Sequence, residues 1–346
     1  MREYLDLRSD TVTRPDEEMR NAMRDAEVGD VVMGDDPTVL RLERMGAELF
    51  GKEACLMTVS GTMSNQTAVL SMTGRGEQII VHDKSHMFNL EVAGLAQISG
   101  VQPRTLPAPG GRYDLGELEA NLIGTAIQTA PTTLVCMENT FNLNQGLVVE
   151  KEHIDQVCEL AHGKGVPVYM DGARILNAAA ALDMEPDVLC RETDAVSVCL
   201  SKALGCPVGS LLAGSAEMIE KARRMRQMLG GGWRQGGVLA AAGIVALNRW
   251  KELKQDHLRA RSLAEGLLKL GLGVDLEQVQ TNIIRIDLSP VGLTAAAFCG
   301  RLAEFGVLAK PVELQAVRMI CHRDVGDEKI SAVLQAAADC LNSLAG

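Results

Sequence analysis

The sequence predicts an α/β protein: a large unit on a mainly parallel, helix-flanked sheet, followed by a smaller α+β unit. Three observations predict it. Apolar, β-branched runs such as QIIVH (78–82), TTLVCME (132–138), PVYMD (167–171) and AVSVCL (195–200) recur with room for a helix between them. Such alternation of strand and helix marks a parallel sheet with crossover helices. The runs are apolar almost throughout, as in strands buried on both faces. Beyond residue 250 the pattern changes to helix 252–270, strand 281–288, helix 293–305, a short strand near 306–308, a strand within 317–324 and helix 327–344. These features divide the chain into a large unit, 1–250 with an N-terminal arm, and a small unit, 251–346.

In order, residues 6–14 are extended and a helix begins near Pro15-Asp16, where proline and acidic residues suit a first turn. A polar loop at 28–36 precedes a helix with Val39, Leu42, Met45 and Leu49 at helical spacing. Asp35-Asp36 resembles a metal pair, but Pro37-Thr38 after it marks a turn and helix cap. Residues 54–74 run from strand into Ser60-Gly61-Thr62 and then helix, 78–100 read as strand, polar turn and helix, and 132–142 as a strand ending at Glu138-Asn139-Thr140. Helix 151–165 leads into the strand that ends on Asp171, and two helices around a glycine-rich turn fill 216–250.

The 346 residues, 47% of them hydrophobic and 23% charged, suit a water-soluble globular protein with a large core. A net charge of −11 speaks against a nucleic-acid backbone as partner, while leaving room for a local phosphate site. No apolar run has the length of a membrane span, and MREYLDLRSD lacks the core of an export signal, so a cytoplasmic location is expected. The nine cysteines are scattered without a CxxC pair, which predicts reduced thiols, with neither a disulfide framework nor a metal site.

The chemistry centres on Lys202, which follows the 195–200 strand and precedes Gly205, Pro207 and Gly209. Among apolar walls a lysine loses its proton readily, because desolvation disfavours the ammonium, and the free amine condenses with a carbonyl. Asp171 ends the preceding apolar strand and is suited to hold positive charge on a heterocycle. An amine and a carboxylate so placed are what pyridoxal phosphate requires. Ser60-Gly61-Thr62, at a strand-to-helix turn, offers backbone amides and a hydroxyl to an anion, although capping alone explains such a turn equally well. There is no GxGxxG or GxxxxGK[ST]. His86 offers a flat ring or a base. Arg174 and Arg318 offer planar forks to a carboxylate. Each of these taken singly also fits a purely structural role.

DLRSDTVTRP, the GDDP turn, SGTMSNQ, the segment from His86 to Gly94, MENTFN, MDGARILNAAAA, VSVCLSKALGCPVGS, GGGWRQGG and VRMICHRDV fit one pattern in order and spacing. Together they resemble the low-specificity L-threonine aldolases, pyridoxal-phosphate enzymes of the aspartate aminotransferase fold (type I). The resemblance covers nearly the whole chain, and the DGAR and SVCLSK blocks together are its most specific part. It implies the mixed sheet of that fold, Lys202 as the lysine bound covalently to the cofactor, Asp171 on the pyridine nitrogen and His86 stacked on the ring. It also implies phosphate contacts from Gly61 and Thr62, with Arg234 reaching in from a neighbouring subunit, and a substrate carboxylate held by Ser9, Arg174 and Arg318. Glu91 matches the family's acidic residue near the site. A homo-oligomer follows, at least a dimer and by resemblance a tetramer, that cleaves L-threonine, L-allo-threonine or a related β-hydroxy-α-amino acid to glycine and an aldehyde.

Two positions depart from the family. Phe141 stands where its ENT motif continues with histidine, and Met33 stands where an aromatic such as tyrosine precedes GDDP. In the family both lie near the substrate's β-substituent. Neither Phe nor Met supplies the strong hydrogen bond of the residue it replaces, so an altered side-chain pocket is expected. β-Elimination, as in tyrosine phenol-lyase, or alanine racemisation on the same frame is the alternative activity.

Overall fold

The computed structural model describes residues 4–344. Its strands are β1 (Leu5–Asp6), β2 (Ala54–Thr58), β3 (Gln78–His82), β4 (Gln102–Leu106), β5 (Thr132–Glu138), β6 (Val168–Asp171), β7 (Ala195–Cys199), β8 (Ser210–Gly214), β9 (Ile283–Asp287), β10 (Val307–Leu308), β11 (Lys310–Glu313) and β12 (Ala316–Ile320). Seven form one sheet in the order β2-β8-β7-β6-β5-β3-β4. Pairing is parallel from β4 across to β7, whereas β8 is antiparallel to both β7 and β2. The sheet is therefore mixed and mostly parallel.

Alternate residues of the central strands enter two separate cores. Ile80, Val135 and Met137 face one, while Ile79, Val81, Leu134 and Cys136 face the other. Helices Pro37–Phe50, Lys151–His162, Ile175–Leu182 and Gly237–Asn248 cover the first face, and helices Gly61–Met72 and Ala216–Met228 the second. Each aliphatic side chain so buried contributes about 1.5–3 kcal/mol, which is why these strands read as continuous apolar runs. Polar side chains gather at the C-terminal ends instead: His82 ends β3, Glu138 ends β5 and Asp171 ends β6. Ligands of open parallel sheets bind at this edge.

Local signals explain the helix starts. Asp36 caps Pro37–Phe50 by accepting from the Val39 amide at 3.0 Å, with Pro37 in the first turn. The same carboxylate takes the Gly29 and Gly237 amides, so Asp36 is a structural cap. Asp16 caps Glu17–Arg24 in the same way.

Two stretches differ from the sequence reading. Residues 195–214 hold two antiparallel strands, with Lys202 on the loop between them. Residues 83–100 do not form one helix. The helix His86–Asn89 stops after four residues, Val92 and Ala93 adopt φ of 54° and 57°, and a π-helical turn follows at Leu95–Ser99. The interruption turns the Glu91 side chain inward onto His86, Asn65 and Gln66, where it makes three hydrogen bonds.

The C-terminal residues build a third core around the antiparallel sheet β11-β12-β9 and helices Leu253–Lys269, Ala295–Glu304 and Asp327–Leu344. The N-terminal arm joins it. β1 pairs in parallel with β10, Leu7 is fully buried in this core, and the Ile320 amide donates to the Leu7 carbonyl at 2.9 Å.

Candidate active site

Beyond the C-terminal ends of β5, β6 and β7 lies a cavity of about 180 Å³, with Gly61, Thr62, Asn65, His86, Glu138, Asp171, Arg174 and Lys202 among its walls. Lys202 sits on a loop closed at its base by the Leu200 amide on the Gly209 carbonyl (3.0 Å). The Lys202 carbonyl accepts from Gly205 N–H (2.9 Å) and from the Thr13 hydroxyl of the arm (2.6 Å), so the loop is tied down from both sides. Its amine makes no hydrogen bond or ion pair among the described residues. Opposite, helix Gly61–Met72 starts at Ser60, whose side chain accepts from the Met63 amide. The Gly61 and Thr62 amides precede the first intrahelical acceptor and face the cavity end. A Cβ on Gly61 would stand 2.7 Å from the Cys199 sulfur, so only glycine lets the helix approach the end of β7 this closely.

One wall is a hydrogen-bonded chain. Asn65 lies one helical turn after Gly61, on the same helix face. Its amide nitrogen donates to Asp171 Oδ2 (2.9 Å) and Glu91 Oε1 (2.6 Å), and its carbonyl accepts from the Tyr169 hydroxyl (2.6 Å). Tyr169 and Asp171 are two apart on β6 and so share a face. The Ala173 amide donates to Asp171 Oδ1 (3.2 Å). His86 Nδ1 lies 2.9 Å from Glu91 Oε1, and with a carboxylate as its partner the neutral ring carries its proton on Nδ1 and its lone pair on Nε2. This bond holds the imidazole's proton more tightly than usual, outweighing the effect of burial.

Glu138 is buried at the floor. Its Oε2 accepts the His86 amide (2.7 Å) and its Oε1 the Asn142 amide (2.9 Å). Burial, reinforced by the Asp171 charge, pushes its carboxyl up to about 7.

The other wall is cationic. Arg174 is buried and donates from Nε and Nη2 to both oxygens of Asp10 (2.7 and 2.6 Å), and from Nη1 to Asn142 Oδ1 (3.1 Å). Burial alone would raise the Asp10 carboxyl, but the Arg174 charge prevails and holds it at about 2. Arg318 Nη1 reaches the same Asn142 oxygen at 3.5 Å, Nη2 reaches the Arg8 carbonyl at 3.4 Å, and Nε is buried without a partner among the described residues. Burial and the neighbouring Arg174 charge lower the Arg318 pKa. Ser9, between Arg8 and Asp10, caps the short turn Asp10–Val12 with its side chain.

The structure thus brings Gly61, Thr62, His86, Asp171, Arg174 and Lys202 to one cavity, with Glu91 directly behind His86 and with Ser9 and Arg318 beside Asp10 and Arg174. Three further sequence candidates neither line this cavity nor bond to the side chains that do. Arg234 is exposed and pairs with Asp30 at 3.0 Å. Met33 is 77% exposed on the adjoining turn. The Phe141 ring turns into the core, edge-on to His82 at 5.0 Å, and His82 in turn packs against Tyr113 at 4.2 Å. Burial lowers His82 to about 3, so this cluster is uncharged and apolar in character, and it takes up the ring. In this chain the Phe141 side chain is therefore part of the core and not of the cavity lining. Asp10, Asn65, Glu138 and Asn142 were not assigned roles from sequence, although all lie within the blocks DLRSD, SGTMSNQ and MENTFN. The one-turn spacing of Asn65 from Gly61 was the available signal.

Residues 6–289 match the beta-eliminating lyase family. A probable low-specificity L-threonine aldolase 2 from Arabidopsis thaliana is 43% identical over 337 residues, covering 95% of both chains. The low specificity L-threonine aldolase of Escherichia coli K12 is 39% identical over 331 residues, covering 95% of this chain and 97% of that one. Among solved structures, a Leishmania major threonine aldolase superposes with a TM-score of 0.83 at 18% identity, covering 97% of this chain and 99% of that one. The mixed sheet, the lysine loop at its edge and these likenesses lead to one conclusion: the chain belongs to the beta-eliminating lyase family, among the low-specificity L-threonine aldolases.

Proposed function

We propose that this protein is a pyridoxal-phosphate-dependent lyase that cleaves L-threonine, L-allo-threonine or a related β-hydroxy-α-amino acid into glycine and an aldehyde. The observation that carries the reading is the unpaired Lys202 amine sharing a cavity with Asp171, whose carboxylate is fixed by Asn65 and the Ala173 amide. The residues present fit the cofactor at each end. Lys202 would hold it covalently, Asp171 would hold the ring nitrogen, His86 would cover the ring, and Gly61 with Thr62 would take the phosphate at the helix N-terminus. The bound cofactor supplies an electron sink for the electrons of the broken Cα–Cβ bond.

The chain's own residues do the rest. Arg318, Arg174 and Ser9 orient the substrate carboxylate. Of the two arginines Arg318 contributes most, because Arg174 is already committed to Asp10. Fixing that carboxylate fixes rotation about N–Cα, and orientation of this kind contributes up to roughly 7–11 kcal/mol in favourable cases. His86, with Nδ1 held by Glu91, offers Nε2 to the β-hydroxyl proton. Loss of that proton and scission of Cα–Cβ release the aldehyde.

Arg234 and Met33 belong to the same reading through a second copy of the chain. The turn at 28–34 packs on the turn at 229–237, and it exposes Val28, Val32 and Met33 beside Val238. An apolar face of this kind supports a homo-oligomer in which Arg234 reaches the neighbour's phosphate site, with the tetramer as the assembly. The free cysteines, all but Cys299 buried, support a reducing cytoplasmic location. We also read 1–250 and 251–346 as the large and small domains.

The test is a product assay with added cofactor on L-threonine, L-allo-threonine and L-phenylserine. Equimolar glycine and aldehyde are expected, and Lys202→Ala should lower turnover more than about 10³-fold. A 2-oxo acid with ammonia, or a D-amino acid, in place of these products would establish the alternative chemistry.

A further inference from the structure

Glu138 lines the cavity and is 3% exposed, yet nothing above gives it a task. No cation forms an ion pair with it among the described residues, and its two oxygens are used on two backbone amides from different segments. The His86 amide begins a four-residue helix otherwise held by the Ser85 cap. The Asn142 amide begins a short turn in a loop otherwise closed by Phe141 and Leu147. His86 belongs to the anionic wall of the cavity and Asn142 to the cationic wall.

We propose that Glu138 is a positioning residue whose carboxylate clamps the His86 segment and the Asn142 loop at one separation, and thereby sets the distance between the two walls. An ionised carboxylate presents a full acceptor to both amides. In a protonated one the hydroxyl oxygen is a much weaker acceptor and carries a proton that competes for the same space, so one of the two amide bonds weakens. The groups that act on it from around the cavity are Asp171 on β6, His86, Arg174 and Tyr113, with Lys202 on the same lining. With its carboxyl near 7, the clamp is closed in mildly alkaline solution and opens as the pH falls toward 6. At one end Asn142 steadies both arginines, and at the other His86 carries the imidazole. Opening the clamp therefore weakens the hold on the substrate carboxylate and displaces the base together.

The kinetic part of the test rests on the aldolase reading; the amide part does not. Hydrogen exchange on the full chain, with and without pyridoxal phosphate and corrected for intrinsic rates, should show the His86 and Asn142 amides protected at pH 8.5. Protection of at least one should fall about tenfold or more by pH 6. In Glu138→Gln one of the two should be unprotected at both pH values. If that variant does not fold, the wild-type pH series decides alone. In turnover, the wild-type KM for L-threonine should rise below pH 7, whereas Glu138→Gln should have a KM raised about ten- to a hundredfold and nearly independent of pH. Equal protection of both amides across pH 6–8.5 would overturn the proposal, as would a Glu138→Gln protein that keeps both amides protected. An enzyme that cleaves a different amino acid would leave the amide result standing.

Discussion

On the wall of His86, Glu91, Asn65 and Asp171, acceptors are filled: Glu91 receives three hydrogen bonds, and Asp171 is held by Asn65 and a backbone amide. On the wall of Asn142, Arg174 and Arg318 the balance is reversed. One amide oxygen serves two guanidinium groups, and Arg318 Nε has no acceptor. The first wall is complete before any ligand arrives, so it can fix a ring and a tautomer without reorganising. The second is short of negative charge, and an arriving carboxylate supplies it. Rigidity and affinity are thus placed on opposite sides of one small cavity.

Asp10→Asn should break this division most severely. It strips the buried Arg174 of its counter-ion, a loss of about 3–5 kcal/mol for a pair of this kind, measured as a lowered denaturant midpoint at unchanged slope. Asp10 is depressed to about 2, so its contribution is fully present above pH 4 and fades as the pH falls toward 2. The variant should lack that part of the acid dependence. Asn65→Ala removes the spacer between two buried carboxylates and takes from the Tyr169 hydroxyl one of its two partners, leaving it only Ser197 Oγ at 2.8 Å. On the order of 3 kcal/mol of stability should go, together with cofactor affinity measured by equilibrium dialysis. Arg318→Ala separates the walls in the other direction. Burial and Arg174 already disfavour the charge at 318, so stability should hold while KM for the amino acid rises about ten- to a hundredfold. Phe141→His should do least to catalysis. A second imidazole against His82 costs about 1–3 kcal/mol of stability, yet the ratio of L-threonine to L-allo-threonine turnover should stay within about threefold. A larger change would mean that the side chain at 141 reaches the substrate after all.

The strands were legible because burial on both faces leaves an unmixed apolar run, and the site because reactive residues follow those runs directly. Lys202 and Asp171 could be read this way. Asp10, Asn65, Glu138 and Asn142 could not, since their work is to hold other side chains or loops, and that depends on contacts between residues far apart in sequence. Asp10 reaches Arg174 across 164 positions, and Asn65 reaches Asp171 across 106. The single helix expected after the polar turn in 78–100 failed for a related reason. Local propensity favoured it, but three hydrogen bonds to the buried Glu91 carboxylate accompany a turn of the chain. The direction of the Phe141 ring was not legible, because a motif position tells where the backbone passes and not which way a ring points.

The Thr13 hydroxyl closes the loop of Lys202, and the arm that carries Thr13 is anchored where β1 lies beside β10 and Leu7 meets Ile320. During synthesis the residues of the large sheet leave the ribosome long before residues 307–320 exist. The nascent chain can therefore build its sheet early but cannot anchor the arm that closes the lysine loop until residues 307–320 have emerged. The last tie on the Lys202 loop thus depends on a strand that belongs to a different core and is made far later in the chain.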